Sequence, residues 1–370
     1  MNIADKRTSG RAAACAGLIL GKFRPRALPL LSGTLAVAAA FAAAGCSALG
    51  GGSGQNVALA GATSTPSGMS STSGMSGTAQ VTNGMAGGFQ VLTLNDRRDL
   101  TFNQLLGINN QGLIAGYFGS GAAGNPNKGY VLRPPFAQGD FGSENFPGAA
   151  QTQVTGLNDT GITVGFYSTR NAANAADDNN IGFWRAGGRY HSVSFPTRNN
   201  AMPSVNQLLG VNDTGTAVGF YNDAKGNAHG YAYNLETRRF KMITVRGATS
   251  VTATAINNMG AAAGFYTTAK GATDSFVQFH GGRTFTIAMP GASATQAFGL
   301  NDGSEVVGTY TTGTGNNAVT HGFTWMNGKF TTVNYPMASS TTVNGVNNEG
   351  DIVGFYTDAK GNTDGFVGLP

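Results

Sequence analysis

Cysteine is nearly absent from this 370-residue chain. Only Cys15 and Cys46 occur, so everything after Cys46 lacks both a disulfide framework and thiol chemistry. Charge is scarce too: Asp, Glu, Lys and Arg make up 11% of residues, and surface polarity falls to Asn, Thr, Ser and Gln. After residue 90 no long stretch spaces apolar residues as a helix would. No catalytic signature stands out. Glu144, Glu236, Glu305 and Glu349 fall at unrelated positions, and no acid–base pair is identifiable. The formal charge of +5 also dissolves on inspection. Six of 23 basic residues and one of 18 acidic residues precede Cys46, leaving 17 of each after it. A nucleic-acid or anionic-membrane partner therefore has no electrostatic support.

What the chain does have is a repeat. An asparagine preceded by an apolar residue recurs as Asn109, Asn158, Asn212, Asn257, Asn301 and Asn347, at intervals of 49, 54, 45, 44 and 46 residues. Glycine follows three residues later in five copies, and the fifth copy has Ser304 there. A second glycine follows seven residues after the asparagine, with an aromatic two beyond it, as in Gly219 and Tyr221. A period of 40–50 residues marks a repeat architecture. Each copy divides into four short β-branched and aromatic runs separated by turn signals, which predicts four strands. The asparagine suits the first position of a turn and the glycine the fourth, so this pattern has a local explanation in turn chemistry. The Gly-x-aromatic pair is expected to be a packing device, with glycine admitting a neighbouring sheet or ring and the aromatic filling the wedge between repeats.

Six copies of four strands predict an all-β fold, a six-bladed β-propeller with four antiparallel strands per blade. The sixth copy stops in its third strand at Asp364–Pro370, and Gly87–Asn95 resembles the fourth strand of the fifth copy, Gly328–Pro336. An N-terminal strand completing the last blade would close the ring. The predicted domains are a leader (1–46), a flexible Gly/Ser/Thr tether (47–87) and the propeller (88–370). The leader has a basic flank (Lys22, Arg24, Arg26), an apolar run from Leu28 to Ala44, and AAAGC ending at Cys46. It resembles a bacterial lipoprotein signal, which implies lipid attachment at Cys46. Ala43 stands where that pattern usually has leucine. A cleaved secretory signal and an uncleaved anchor are the alternatives.

Candidate sites are few. His229 and His321 hold the same place in their copies, with Asp274 and Asp364 in others. Equivalent third-strand positions on adjacent blades lie on the order of 15 Å apart, whereas metal ligands lie within ~2.5 Å of their ion, so no shared metal and no cofactor is expected. Asp223–Gly230 and Asp358–Gly365 resemble calcium loops only in outline and read as turns. The second residue of each turn (Asn110, Asp159, Asp213, Asn258, Asp302, Asn348) forms a polar collar at the channel mouth. That collar could hold water, a cation or a sugar, or consist of turn residues chosen for conformation. Two irregular connections, the enlarged loop around residues 168–182 and the expanded one around 133–147, are where specific binding is usually placed on a regular ring.

With HGY (His229–Tyr231) and HGF (His321–Phe323) opening third strands, the repeats over most of residues 100–370 resemble the HAF family of extracellular repeat proteins. The resemblance implies an exported β protein and no particular activity. GFW, SFV and DGF replace the tripeptide in other copies. The reading is a cell-envelope lipoprotein whose propeller is a binding or scaffold module for a protein or glycan, monomeric, held to the membrane only by its lipid. The alternative is a hydrolase or lyase on extracellular polymers with its site at the channel mouth.

Overall fold

The computed structural model describes residues 84–122, 124–171, 178–197 and 202–370. The leader, Cys46 and the tether before Gly84 lie outside them. The chain is all-β, with its strands in antiparallel sheets and helix limited to two short 3-10 turns among the described residues. The third repeat shows the plan. Strands Asn206–Val211, Thr216–Asn222, Ala228–Asn234 and Phe240–Met242 pair in sequence order, antiparallel throughout. The first two repeats form like sheets of four. The fourth and fifth join into one sheet of eight through a single parallel pair, Thr273 with Ala294. The same kind of parallel bridge links Asn180 to Val205 and Phe102 to Thr363 between other repeats. The first strands face one another around a common axis, the arrangement of a β-propeller.

Phe89–Thr93 lies antiparallel to Thr363–Leu369, with Leu92 opposite Val367. Pairing begins before the expected boundary at 88: Gly84–Ala86 folds back on Phe89–Thr93 through the positive-φ glycines Gly87 and Gly88. Thr93 ties this strand to two repeats, its hydroxyl 2.7 Å from the Tyr335 phenol and 2.9 Å from that of Tyr356.

Every repeat carries the same irregularity. The first strand slips register between the positions four and two before the anchor asparagine, as between Leu208 and Gly210. The remaining five first strands slip at the corresponding place. A bulge of this kind extrudes one residue and increases local twist.

The bulge corrects the expected role of the second-strand glycine. A Cβ on Gly219 would lie 1.9 Å from the Gln207 carbonyl oxygen, and one on Gly264 2.0 Å from that of Thr252. These carbonyls belong to the glycine's own sheet, so the glycine accommodates the bulged first strand rather than a neighbouring sheet; the expected ring is there, with a Cβ on Gly165 lying 2.9 Å from Phe183 and one on Gly354 2.9 Å from Phe366. Opposite it on the third strand sits a fully buried ring: Tyr130, Phe183, Tyr231, Phe276, Phe323 or Phe366. Each such burial contributes roughly 1.5–3 kcal/mol. The glycine just before that ring clears a carbonyl at the end of its own sheet, the Glu144 oxygen at 2.5 Å for Gly129 and the Val333 oxygen at 2.6 Å for Gly322, and also admits the neighbouring repeat. A Cβ on Gly129 would meet Val154 at 2.8 Å, and one on Gly322 would meet Val343 at 2.8 Å. In the fourth repeat Ser275 takes this place, fully buried, with a hydroxyl that has no partner.

The aromatic two residues beyond the second-strand glycine does fill the wedge. Tyr167 stacks on Phe146, Tyr221 on Phe195 and Tyr356 on Tyr335, with centroids 3.7, 4.2 and 3.7 Å apart. In each pair the partner is the aromatic of an aromatic–Pro or aromatic–Pro-like segment ending the preceding repeat's fourth strand.

A hydrogen-bonded rim around the axis as the candidate functional site

Strands alternate in direction, so the first-to-second connections all emerge at one end of the axis. There each anchor asparagine performs two tasks. Its carbonyl oxygen caps its own turn: Asn212 Oδ1 accepts from the Thr216 N–H at 2.9 Å and Asn109 Oδ1 from the Leu113 N–H at 2.9 Å. Its amide nitrogen reaches into the next repeat. Asn109 donates to the Asn158 carbonyl, Asn158 to Asn212, Asn212 to Asn257, Asn257 to Asn301, and Asn301 to Asn347, at 2.9–3.2 Å. Asn347 donates to the Asn109 carbonyl at 3.4 Å. All six are buried. Local turn chemistry, expected to explain the asparagine completely, accounts for its oxygen alone. The donor half links repeat to repeat, which an ionised Asp could not do.

The collar lies one residue on, and its six members form a second circuit. The backbone N–H of Asn110 donates to Asp159 Oδ1, that of Asp159 to Asp213, of Asp213 to Asn258, of Asn258 to Asp302, of Asp302 to Asn348, and of Asn348 to Asn110, all at 2.8–2.9 Å. Only an oxygen is needed here, and Asn and Asp both supply one; that explains why the two interchange at this position. The outer atoms pair wherever Asn meets Asp. Asn110 Nδ2 donates to Asp159 Oδ2 at 2.6 Å, and Asn258 Nδ2 to both Asp213 and Asp302 at 2.8 and 3.0 Å. Three carboxylates thus stand around the mouth on a rim held by its own hydrogen bonds. The adjacent pair, Asp159 and Asp213, has all four oxygens already accepting donors from the rim.

Below the rim, small residues let the first strands meet backbone to backbone. A Cβ on Gly156 would lie 2.8 Å from the Leu209 carbonyl oxygen, and one on Gly345 3.1 Å from the Gly107 Cα. Beneath these comes a layer missed in the sequence: the bulged residues Leu106, Thr155, Leu209, Thr254, Phe298 and Asn344, apolar and polar in alternation. Thr155 Oγ1 donates to the Leu208 carbonyl at 2.8 Å, Thr254 Oγ1 to that of Ala297 at 3.0 Å, and Asn344 Nδ2 to that of Leu105 at 2.9 Å. The readable signal was the position three before each anchor asparagine. Around this layer the axial space narrows to about 10 Å³, while the well from rim to plug holds about 120 Å³. That is room for several waters or a small polar group.

The other candidates are dispersed. His229 Nε2 lies 3.0 Å from Asp223 Oδ2, and His321 lies 3.1 Å from Thr312 Oγ1 and 3.2 Å from Asn334 Oδ1. Among the described residues no three His, Cys, Asp or Glu side chains converge on one point. The two calcium-like segments are capped turns: Asp223 accepts from the N–H groups of Lys225 and Asn227, and Asp358 from those of Lys360 and Asn362. Burial pushes the Asp223 carboxyl up, but its bonds to His229, Asn227 and Lys225 outweigh this and hold it well below the usual carboxylate range. Glu144 is buried between the first two repeats, bonded to Thr163 and ion-paired with Arg185 at 3.0 Å. Burial pushes its pKa up against the opposing effects of Thr163, Arg185 and Arg133. No helix among the described residues is long and apolar enough to cross a membrane.

No protein-family model matches this chain, and no curated protein matches it. Among solved structures it is similar to the beta-propeller domain of the Trilobed protease from Pyrococcus furiosus, at 8% identity over 72% of this chain and 95% of that one, with a TM-score of 0.39. TolB from Acinetobacter baumannii is similar at 11% identity over 72% of this chain and 63% of that one, with a TM-score of 0.44. A mutant of AofleA from Arthrobotrys oligospora is similar at 10% identity over 75% and 86%, with a TM-score of 0.45.

Proposed function

We propose that this chain is a six-bladed propeller closed by its N-terminal strand, and that it serves as a non-enzymatic binding or scaffold module on the cell envelope. The observation that carries the reading is the double circuit at the axis. Asn347 returns to Asn109 and Asn348 to Asn110, so the six turns hold one another in a fixed rim over a small polar well. A rim that is already ordered loses little entropy when it meets a ligand, which favours recognition. The pairing of Phe89–Thr93 with Thr363–Leu369 supports closure. The HAF-like repeats and the AAAGC segment support export, with Cys46 as the lipid-bearing residue and the tether joining it to the propeller.

The adjacency of Asp159 and Asp213 favours a second reading, a hydrolase or lyase on extracellular polymers acting at the mouth. A glycan and peptide array scored for both retention and turnover separates the two. Binding without turnover, lost in the triple Asp159→Asn, Asp213→Asn, Asp302→Asn variant, is the expected outcome. Turnover abolished by the same variant sinks the binding-module reading. For the address, Cys46→Ser is expected to move the chain from the membrane to the soluble fraction; unchanged membrane association refutes lipidation there.

A further inference from the structure

A second cavity lies at the strand ends opposite the rim, beside Asp178 and Asn180 where the chain rejoins the second repeat's sheet. This cavity holds about 40 Å³ between the first and second repeats, space for roughly three water-sized groups and too little for a sugar ring. Its wall is rich in oxygen: Asn127, Gln151, Gln153, Ser168, Asp178 and Asn180 all line it.

Gln153 is 4% exposed, and its Oε1 has no hydrogen-bond partner. The surrounding network fixes which way this amide faces. Asn127 Nδ2 donates to the Gly119 carbonyl at 2.5 Å, so Asn127 Oδ1 faces Gln153 and must receive its Nε2, at 2.8 Å. Turning the Gln153 amide over would set oxygen against oxygen. A buried acceptor is thus held in place with nothing donating to it, and such an atom carries its full desolvation penalty until a donor or a cation arrives. Asp178, 9% exposed, brings a carboxylate to the same cavity, where Oδ2 accepts from Gln151 Nε2 at 2.5 Å. Ser168 Oγ and Asn180 Oδ1 keep lone pairs beyond their protein bonds.

We propose that this cavity binds a hard metal cation of the calcium type, with Asp178 supplying the charge and Gln153 Oε1 a neutral oxygen ligand. Calcium takes several oxygens in flexible geometry and tolerates amide and hydroxyl donors alongside water. A single carboxylate sets a weak affinity, on the order of 0.1–1 mM. The site stands apart from the axial rim and does not depend on that rim's role.

The test uses the purified full chain after chelation, with calcium measured by equilibrium dialysis and terbium as a luminescent stand-in. Tyr167 lines the cavity and serves as the sensitiser. One saturable ion per chain is expected, with terbium emission displaced by calcium. Asp178→Asn should weaken binding at least tenfold and Gln153→Met about tenfold, while Asp358→Asn leaves it unchanged. Tyr167→Phe should dim the emission without changing stoichiometry, which locates the ion even if the ligand variants fold poorly. Absence of saturable binding to the wild-type chain means that the cavity takes water alone and overturns the proposal. Binding that survives Asp178→Asn but disappears in Asp213→Asn belongs to the rim and overturns it equally.

Discussion

Deleting residues 84–94 lowers Tm by at least about 10 °C or abolishes the cooperative transition altogether. Phe89, Val91 and Leu94 are buried. Val91 packs with Tyr335, Val343 and Phe366, while Leu94 packs with Leu105 and Tyr130, so the segment bridges the end of the chain and the first repeat. Burying three such side chains contributes roughly 5–9 kcal/mol, comparable to the whole stability of an ordinary domain at about 5–15 kcal/mol. The deletion also leaves Thr363–Leu369 as an unpaired edge, open to self-association. A peptide spanning 84–95, added in trans, should restore the transition, because the lost contacts are non-covalent. Calorimetry or a circular-dichroism melt reads both results. A deletion variant that melts within about 3 °C of wild type refutes the closed circle.

The second large effect comes from one atom. Asn212→Asp exchanges the amide that donates to the Asn257 carbonyl at 2.9 Å for an oxygen, at a buried position. The turn caps to Thr214 and Thr216 survive, since they need only Oδ1. The new carboxyl faces a carbonyl and can engage it only when protonated, so its pKa in the folded state lies above the unfolded value of about 3.9. As pH rises past about 4 the unfolded chain releases its proton first, and the variant loses about 1.4 kcal/mol per pH unit until the folded pKa is reached. Near pH 3.5 the variant should match wild type within about 1 kcal/mol, and at pH 7 it should be less stable by about 3 kcal/mol. Asn212→Ala, with no titrating group, should lose about 2 kcal/mol at every pH. One residue on, Asp213→Asn should change stability by under about 0.5 kcal/mol, because it keeps the oxygen that receives the Asp159 N–H, and the exposed Asn258 amide that loses Oδ2 still bonds Asp302. Denaturant melts from pH 3.5 to 7 measure all three variants. A pH-independent loss in Asn212→Asp refutes the donor role.

The contrast between these neighbours shows how far a single sequence reaches. Strand number, strand order within each repeat and the likeness of Gly87–Asn95 to a fourth strand follow from periodicity and turn chemistry, which act over a few residues. The collar was legible as six turn positions for the same reason. The bulge was not, because a one-residue slip leaves the apolar pattern intact and shows only in pairing register. The pattern therefore shows that the second-strand glycines admit something close, a ring among them, and leaves unseen the nearest obstacle, a carbonyl in their own sheet.

Sequence alone determined the repeat, its strands and the residues that each turn requires, because those depend on local backbone preference. Tertiary structure decided that the anchor asparagine spends its donor on the next repeat, that the bulged residues plug the axis, and that Gln153 and Asp178 share a cavity. Those outcomes depend on which atoms far apart in the sequence are brought within bonding reach, and that is set by packing around the axis.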